Sequence, residues 1–298
     1  MSEILFEYKN MQDSFYISHI RRRGPSDMLN NHFHNTYEIY YLISGERYYF
    51  IKDRIFHIRE KDLILIKAGD LHKTTGSGKN EHERLLINFH KNFIGALPKE
   101  NNDKENNDNV IFYPFENDVN IIHFSLRHQT QIEQFLNMIL DEAKAQKAGY
   151  EAYIKTLLLQ FLIHIGRYAQ NNEAKPFKHL SPIHEKISDI VQYINSNYME
   201  KITLDDISKR FYISRFYFSK VFKEVTGFTF VEYLNSVRVR EAQRLLVNTN
   251  SKIVCISQDV GFGSIAHFGR VFKAITSYSP LKYRKLGRAV ELNNSGIR

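Results

Sequence analysis

Two groups of residues in this 298-residue chain have types and spacings that could do chemistry. The first is His32-x-His34, followed by Glu38 and, farther on, by His72 behind Gly69-Asp70-Leu71. Three imidazoles and a carboxylate can ligate Fe, Mn, Zn or Ni. The same side chains can equally hydrogen-bond within a loop or line a small-molecule pocket. The second group is a pair of segments, Ser214 to Lys223 and Ser264 to Lys273, that begin 50 positions apart. Each reads Ser, five variable residues, a basic residue, then Val-Phe-Lys. Basic side chains near the start of a helix can pair with phosphates and guanine edges.

The elements that must hold the second group are helices. Thr203-Leu-Asp-Asp206 and Thr229-Phe-Val-Glu232 are capping boxes, with a hydroxyl N-cap and an acid three residues on. Ser214 and Ser264 are placed as N-caps, and Gly227 as a C-terminal cap. The turns fall at Phe211-Tyr212-Ile213 and Val260-Gly261-Phe262, and a long helix from Thr229 to about Val247 separates the two units. Ser279-Pro280 starts a final turn of helix. Phe218, Val221, Phe222 and Val225 recur at core spacing, as do Phe268, Val271, Phe272 and Ile275. The opposite face then carries Arg215, Phe216, Ser219, Lys220 and Lys223 in one helix. In the other it carries Ile265, Ala266, Arg270 and Lys273, with His267 at the edge. These ten are the candidate DNA contacts. The second helix, with Gly269 on that face and no closing Gly, is expected to read bases more loosely than the first.

The first group sits among short β-branched and aromatic runs between residues 1 and about 95, such as Glu38-Ile39-Tyr40-Tyr41-Leu42-Ile43 and Leu63-Ile64-Leu65-Ile66. Such runs between turn signals argue for an antiparallel sandwich or small barrel. A pocket at its mouth would draw on His32, His34, Glu38, Tyr40, Tyr48 and His72, with Tyr37 and Phe50 as further aromatic supply. Arg21-Arg22-Arg23 before Gly24-Pro25 reads as a solvated arm, with an anion site as the alternative. Residues 98–109 are polar and Asn-rich and read as a surface loop; Val110 to Tyr113 reads as a short strand or lead-in. Helical periods follow, through Ile132, Leu136 and Ile139 and then Leu157, Phe161 and His164. Asn171 to Pro176 reads as a linker.

Charge divides the chain the same way. From Ile187 onward 17 Lys and Arg stand against 9 Asp and Glu, an excess that accounts for the whole net charge of +8. A neutral domain carrying a basic, nucleic-acid-binding one has that distribution. The single Cys255 excludes an intramolecular disulfide, fits a reducing cytoplasm, and lies in an apolar run that predicts burial. No stretch has the length or apolarity of a signal peptide or membrane span. The expectation is a cytoplasmic protein.

The helical third resembles the AraC/XylS family of bacterial transcription regulators. The resemblance rests on Ile202-Thr203-Leu204, Ser214-x-x-Tyr217-Phe218-Ser219-Lys220-x-Phe222-Lys223, and Thr226-Gly227. It continues through Tyr233-Leu234-Asn235-x-x-Arg238, Ile256-x-x-x-Val260-Gly261-Phe262-x-Ser264, Phe268-x-Arg270-x-Phe272-Lys273 and Ser279-Pro280-x-x-Tyr283-Arg284. Ser277 stands where Gly is usual, and Gly269 where Ser or Thr is commoner. The His32/His34/Glu38 and Gly69/His72 segments resemble the two motifs of the cupin barrel, with Lys67 in place of Pro and Gly76 in place of Asn in the second.

The resemblance implies two domains. An N-terminal all-β cupin-like barrel (about 1–95) is followed by two amphipathic helices (about 128–170), together a ligand-sensing and dimerisation domain over 1–175. A linker spans 176–185, and an all-α tandem helix-turn-helix domain spans 186–288. The function implied is a sequence-specific, DNA-binding activator responding to a small molecule such as a sugar. Its partners would be double-stranded promoter DNA, RNA polymerase and a second copy of the chain, with no membrane. No enzyme activity, cofactor or metal is expected; His32, His34, Glu38 and His72 are the residues that would hold a metal. The competing readings are a metal-dependent cupin enzyme with a DNA-binding tail, a ligand-independent regulator, and an architectural DNA binder.

Overall fold

The computed structural model describes residues 2–23, 35–76, 81–95, 107–117, 119, 121–171 and 181–295. His32, His34, Gly24, Pro25 and the first half of the predicted linker lie outside the described residues. The chain forms two compact units, one built almost wholly from residues 1–178 and the other from 179–298.

Alternation of side chains along strands builds the first unit. Its strands are β1 (Ser2–Lys9), β2 (Phe15–Arg23), β3 (Tyr37–Ser44), β4 (Glu46–Ile51), β5 (Arg54–Arg59), β6 (Leu63–Ile66), β7 (His72–Gly76), β8 (Glu81–Phe89) and the short β9 (Ile121–Ile122). They form a six-stranded sheet, ordered β1-β2-β8-β3-β6-β9, and a three-stranded sheet, β5-β4-β7. One side of the six-stranded sheet presents Ile17, Ile39, Leu65, Leu85 and Ile87 to a core shared with helices. The other presents Tyr40, Leu42, Ile64, Ile66 and Leu86 to Tyr49, Ile51 and Ile58 of the smaller sheet. Successive residues of a strand face opposite ways, so both sides of β3, β6 and β8 are buried.

The helices of this unit are α1 (Lys91–Ile94), α2 (Asn107–Glu116), α3 (Leu126–Ala145) and α4 (Tyr150–Asn171). Ile132, Leu136 and Ile139 of α3 and Leu157, Leu158 and Phe161 of α4 fill the shared core. The expected strand at Val110 to Tyr113 is instead part of α2. Ile111, Phe112 and Phe115 are buried there at helical spacing, with Phe112 and Phe115 against the ring of Tyr37. Pro114 cannot donate to the carbonyl of Val110 four residues back. That carbonyl lies where a Cβ on Gly166 of α4 would sit, so glycine lets the two helices meet.

From residue 181 onward the second unit is built of helices: α5 (Pro182–Asn197), α6 (Leu204–Phe211), α7 (Arg215–Thr226), α8 (Phe230–Asn248), α9 (Ile253–Asp259), α10 (Ile265–Thr276) and α11 (Pro280–Ser295). Both capping boxes form: Thr203 with Asp206, and Thr229 with Glu232. The last helix is 16 residues long, not a single turn. Cys255 is exposed, contrary to the burial its neighbours suggested. The buried stripe of α9 runs through Ile256 and on to Val260, and Cys255 falls beside it.

Candidate nucleic-acid interface and barrel interior

Residues 203–234 and 253–284 repeat one arrangement. Each unit is a short helix, a turn, and a capped 12-residue helix. Ser214 accepts from the amide of Tyr217, and Ser264 from that of His267. Phe218 and Phe222 pack at 5.2 Å and Phe268 and Phe272 at 5.4 Å. Phe222 then meets Tyr233 at 5.7 Å, and Phe272 meets Tyr283 at 5.5 Å. The hydroxyl of Thr226 donates to the carbonyls of Phe222 and Phe228, and that of Thr276 to Phe272 and Tyr278. The C-terminal caps are left-handed in both, at φ 78° in Gly227 and φ 64° in Ser277. The glycine missing from the second unit is thus replaced by a serine in the same conformation.

Packing of the apolar stripe decides what α7 and α10 turn outward. Phe218, Val221, Phe222 and Val225 are buried in α7. In α10 Phe268 and Phe272 are buried, while Val271 and Ile275 are half-buried. All ten candidate contacts are exposed: Arg215, Phe216, Ser219, Lys220 and Lys223 on α7, and Ile265, Ala266, His267, Arg270 and Lys273 on α10. Phe216 is 82% and Ile265 46% exposed. Arg215 is held 3.2 Å from Asp205 of α6, and Lys220 lies 3.9 Å from Glu224. Gly269 has open space around its Cα, so no packing demands it.

Two arginines fix how the repeated units sit on their scaffold. Arg238 of α8 donates to the carbonyls of Tyr198 and Glu200, both at 2.8 Å, after the end of α5. Arg284 of α11 donates to the carbonyls of Leu246 (3.1 Å) and Ser251 (2.6 Å) at the end of α8. Arg288 adds a bond to the carbonyl of Thr249. Cations at helix C-termini satisfy orphan carbonyls and complement the helix dipole. Gly261, at φ 88°, closes this contact: a Cβ there would lie 2.6 Å from the carbonyl oxygen of Met199 and 2.8 Å from that of Tyr198. Arg238 and Arg284 were legible only as motif letters, because their partners lie 33 to 40 positions away.

In the first unit, Glu38 and His72 do come together inside the two-sheet layer. Glu38 is 1% exposed; its Oε1 accepts from the hydroxyl of Tyr49 at 2.7 Å, and its Oε2 lies 3.5 Å from Nε2 of His72. His72 Nδ1 bonds the carbonyl of Asp70 at 2.8 Å. Burial works against the imidazolium of His72, but the Glu38 charge and these hydrogen bonds prevail and raise its pKa. The remaining members of the predicted metal set, His32 and His34, lie outside the described residues. Among the described residues no three His, Cys, Asp or Glu side chains are grouped to hold an ion.

Tyr40 faces the same interior, at 3% exposure, but Tyr48 does not. Strand alternation turns Arg47, Tyr49 and Ile51 inward and sends Tyr48 to the other side, where its ring lies 5.0 Å from that of His57. Tyr37 also lies outside the interior, stacked on Phe89. Arg21, Arg22 and Arg23 are not a solvated arm. They end β2, with Arg21 bonded to Glu83 and Arg23 to Glu81. Arg22, opposite His82 in the register, shares the inward face. Tyr49, Arg47, His82 and Arg84 are the interior polar residues that sequence reasoning passed over, whereas Arg22 was singled out only within the run of three arginines. The signal was available, in charges at inward positions of otherwise apolar strands.

Residues 14–162 match the family model described as the AraC-like ligand binding domain, and residues 207–286 match a helix-turn-helix domain model. The HTH-type transcriptional activator RhaR of Mannheimia succiniciproducens is 23% identical over 276 residues, covering 91% of this chain and 94% of its own. The bifunctional transcriptional activator/DNA repair enzyme AdaA of Bacillus subtilis (strain 168) is 32% identical over 126 residues, 40% of this chain. The lactose operon transcription activator of Staphylococcus xylosus is 32% identical over 129 residues, 43% of this chain. The matched segments span 60% of AdaA and 46% of the lactose operon activator.

Proposed function

The chain belongs to the AraC family of transcription regulators, and on that premise we propose that it binds promoter DNA through α7 and α10 under the control of a small molecule held in its barrel. The observation that carries the DNA reading is the repeat itself: two capped helices with buried phenylalanines behind and an exposed, basic face in front. Each would enter one major groove of the double-stranded promoter, the two grooves about 34 Å apart on one face of the duplex. Lys220, Lys223, Arg270 and Lys273 would pair with phosphates or guanine edges, and Phe216, Ile265 and Ala266 with thymine methyls.

Control by the barrel requires that the effector bind two arrangements of the protein with different affinity. The effector is a small molecule such as a sugar or sugar derivative. A relative named as the lactose operon transcription activator supports that class. Residues 1–175 serve as sensing and dimerisation domain, 176–185 as linker and 186–288 as reader. A homodimer would form through the amphipathic α3 and α4, and the bound regulator would act on RNA polymerase as an activator.

The test is binding-site selection followed by footprinting. Two half-sites spaced by one helical turn, ahead of a single promoter, are expected. Arg270→Ala and Lys220→Ala should each weaken specific binding by about 1–3 kcal/mol. General coverage of DNA without phased half-sites would sink the reading. Equal loss on specific and random DNA would restrict these two residues to phosphate contact.

A further inference from the structure

The inward face of the first unit brings three arginines, Arg22, Arg47 and Arg84, close to one another. Directly opposed residues in a sheet share a face. The register sets Arg22 against His82, and Arg84 against both Ile20 and Leu42. The guanidinium of Arg84 lies 5.6 Å from the centre of the Tyr40 ring. Arg47 enters from the facing sheet and is 2% exposed. Nε of Arg22, Nη1 of Arg84 and the hydroxyl of Tyr40 are buried with no hydrogen-bond partner among the described residues. Burial, and then the charges of Arg84 and Arg47, lower the pKa of Arg22. His82, 3% exposed, is pushed down to about 3 by burial and by Arg47, Arg22 and Arg84, so it adds no positive charge at neutral pH. Glu38, a carboxylate on this face, is already engaged by Tyr49 and His72.

Buried like charges disfavour one another and are normally paired. Guanidinium forks match the oxygens of carboxylates and phosphates in a bidentate way. We propose that the effector of this barrel is an anion, a small molecule bearing a carboxylate or phosphate group, held by Arg22 and Arg84 with the Tyr40 hydroxyl donating to it. This rests on the reading of the barrel as the effector site, and it narrows the sugar class to sugar acids and sugar phosphates.

Thermal unfolding of the full chain tests it, at constant ionic strength, with sodium phosphate, sodium acetate and sodium glucuronate against sodium chloride and glucose. A saturable rise of about 5 °C at a hundredfold excess over Kd is expected from at least one of the three anions. Phosphate alone would point to a phosphorylated ligand, and acetate or glucuronate alone to a carboxylate. Arg22→Gln and Arg84→Gln should abolish the rise. In chloride they should melt at or above the parent, since they relieve like-charge repulsion; a purely structural arginine would give a lower melting temperature. Arg84→Lys, which keeps the charge if Arg84→Gln fails to fold, should retain part of the rise. The double variant Lys220→Ala/Arg270→Ala should retain all of it, because those residues belong to the DNA face. A rise that survives Arg22→Gln and Arg84→Gln, or the absence of any rise with all three anions, overturns the inference. A glucose response that survives both substitutions overturns the anion and leaves the effector reading standing.

Discussion

Two glycines eight positions apart in the second helix-turn-helix unit should respond to alanine with opposite signs. Gly261 sits at φ 88°, where an L-residue costs about 1–2 kcal/mol. Its new methyl would meet backbone oxygens of Met199 and Tyr198 at 2.6 and 2.8 Å. Neither can swing aside as a side-chain tip would, and the Tyr198 carbonyl is also tied to Arg238. Overpacking against fixed atoms costs about 1–3 kcal/mol, so Gly261→Ala should lose about 2–5 kcal/mol in all. Gly269 lies inside α10 with nothing near its Cα, and Gly269→Ala should gain about 1 kcal/mol from helix propensity alone. Urea unfolding followed by far-ultraviolet circular dichroism reads both. With a slope of about 1.5 kcal/mol per M, the midpoint of the helix-rich transition should fall by about 1–3 M in Gly261→Ala. It should rise by about 0.7 M in Gly269→Ala. A Gly261→Ala midpoint at or above the parent's would refute the claim that the turn is pressed against the α5–α6 backbone. A fall in Gly269→Ala would refute the open space.

Arg238→Met removes two charge-assisted bonds to backbone carbonyls while keeping the stem, and should destabilise the helical unit by about 2–4 kcal/mol. Its affinity for DNA carrying two half-sites should drop more than for a single half-site, and equal drops on the two DNAs would argue against a role in fixing their spacing. His82 sits among Arg22, Arg47 and Arg84 and is neutral in the folded state down to about pH 3, whereas an unfolded histidine takes its proton near 6.5. Its contribution is therefore complete above about pH 6.5 and falls by up to about 1.4 kcal/mol per unit as pH drops below that. His72, with its raised pKa, works in the other direction, losing stability as pH rises. Comparison of His82→Gln with the parent between pH 7 and 5 isolates the term: the variant should show the shallower acid loss, and parallel slopes would contradict the burial of His82 among the arginines.

The helical unit was largely legible in the sequence because its signals are local. A capping box spans four residues, and the Phe218/Phe222 and Phe268/Phe272 pairs lie within one helical turn, so spacing alone assigns them. Ser277 shows the limit: lacking glycine, it gave no sign of the left-handed cap it makes. The α2 segment misled because Val110-Ile111-Phe112-Tyr113 is rich in strand formers, and burial under Tyr37 and beside α4 overrode that preference. The barrel interior was legible only in part. Glu38 and Tyr40 were found, but Tyr48 was preferred to Tyr49, since both tyrosines fit the composition and only strand register tells them apart. Arg22 was hidden in a run of three arginines whose outer two answer Glu83 and Glu81.

Helix α8 closes the first helix-turn-helix unit and leads to the second, so its 19 residues set the distance and angle between them. At 1.5 Å and about 100° per residue, one codon inserted in it would turn the second reader roughly a quarter of the way around and push it out by about 1.5 Å. No side-chain change elsewhere restores that angle. The same constraint makes α8 a gauge of the operator: lengthening it by design should demand DNA with a matching change in half-site phase.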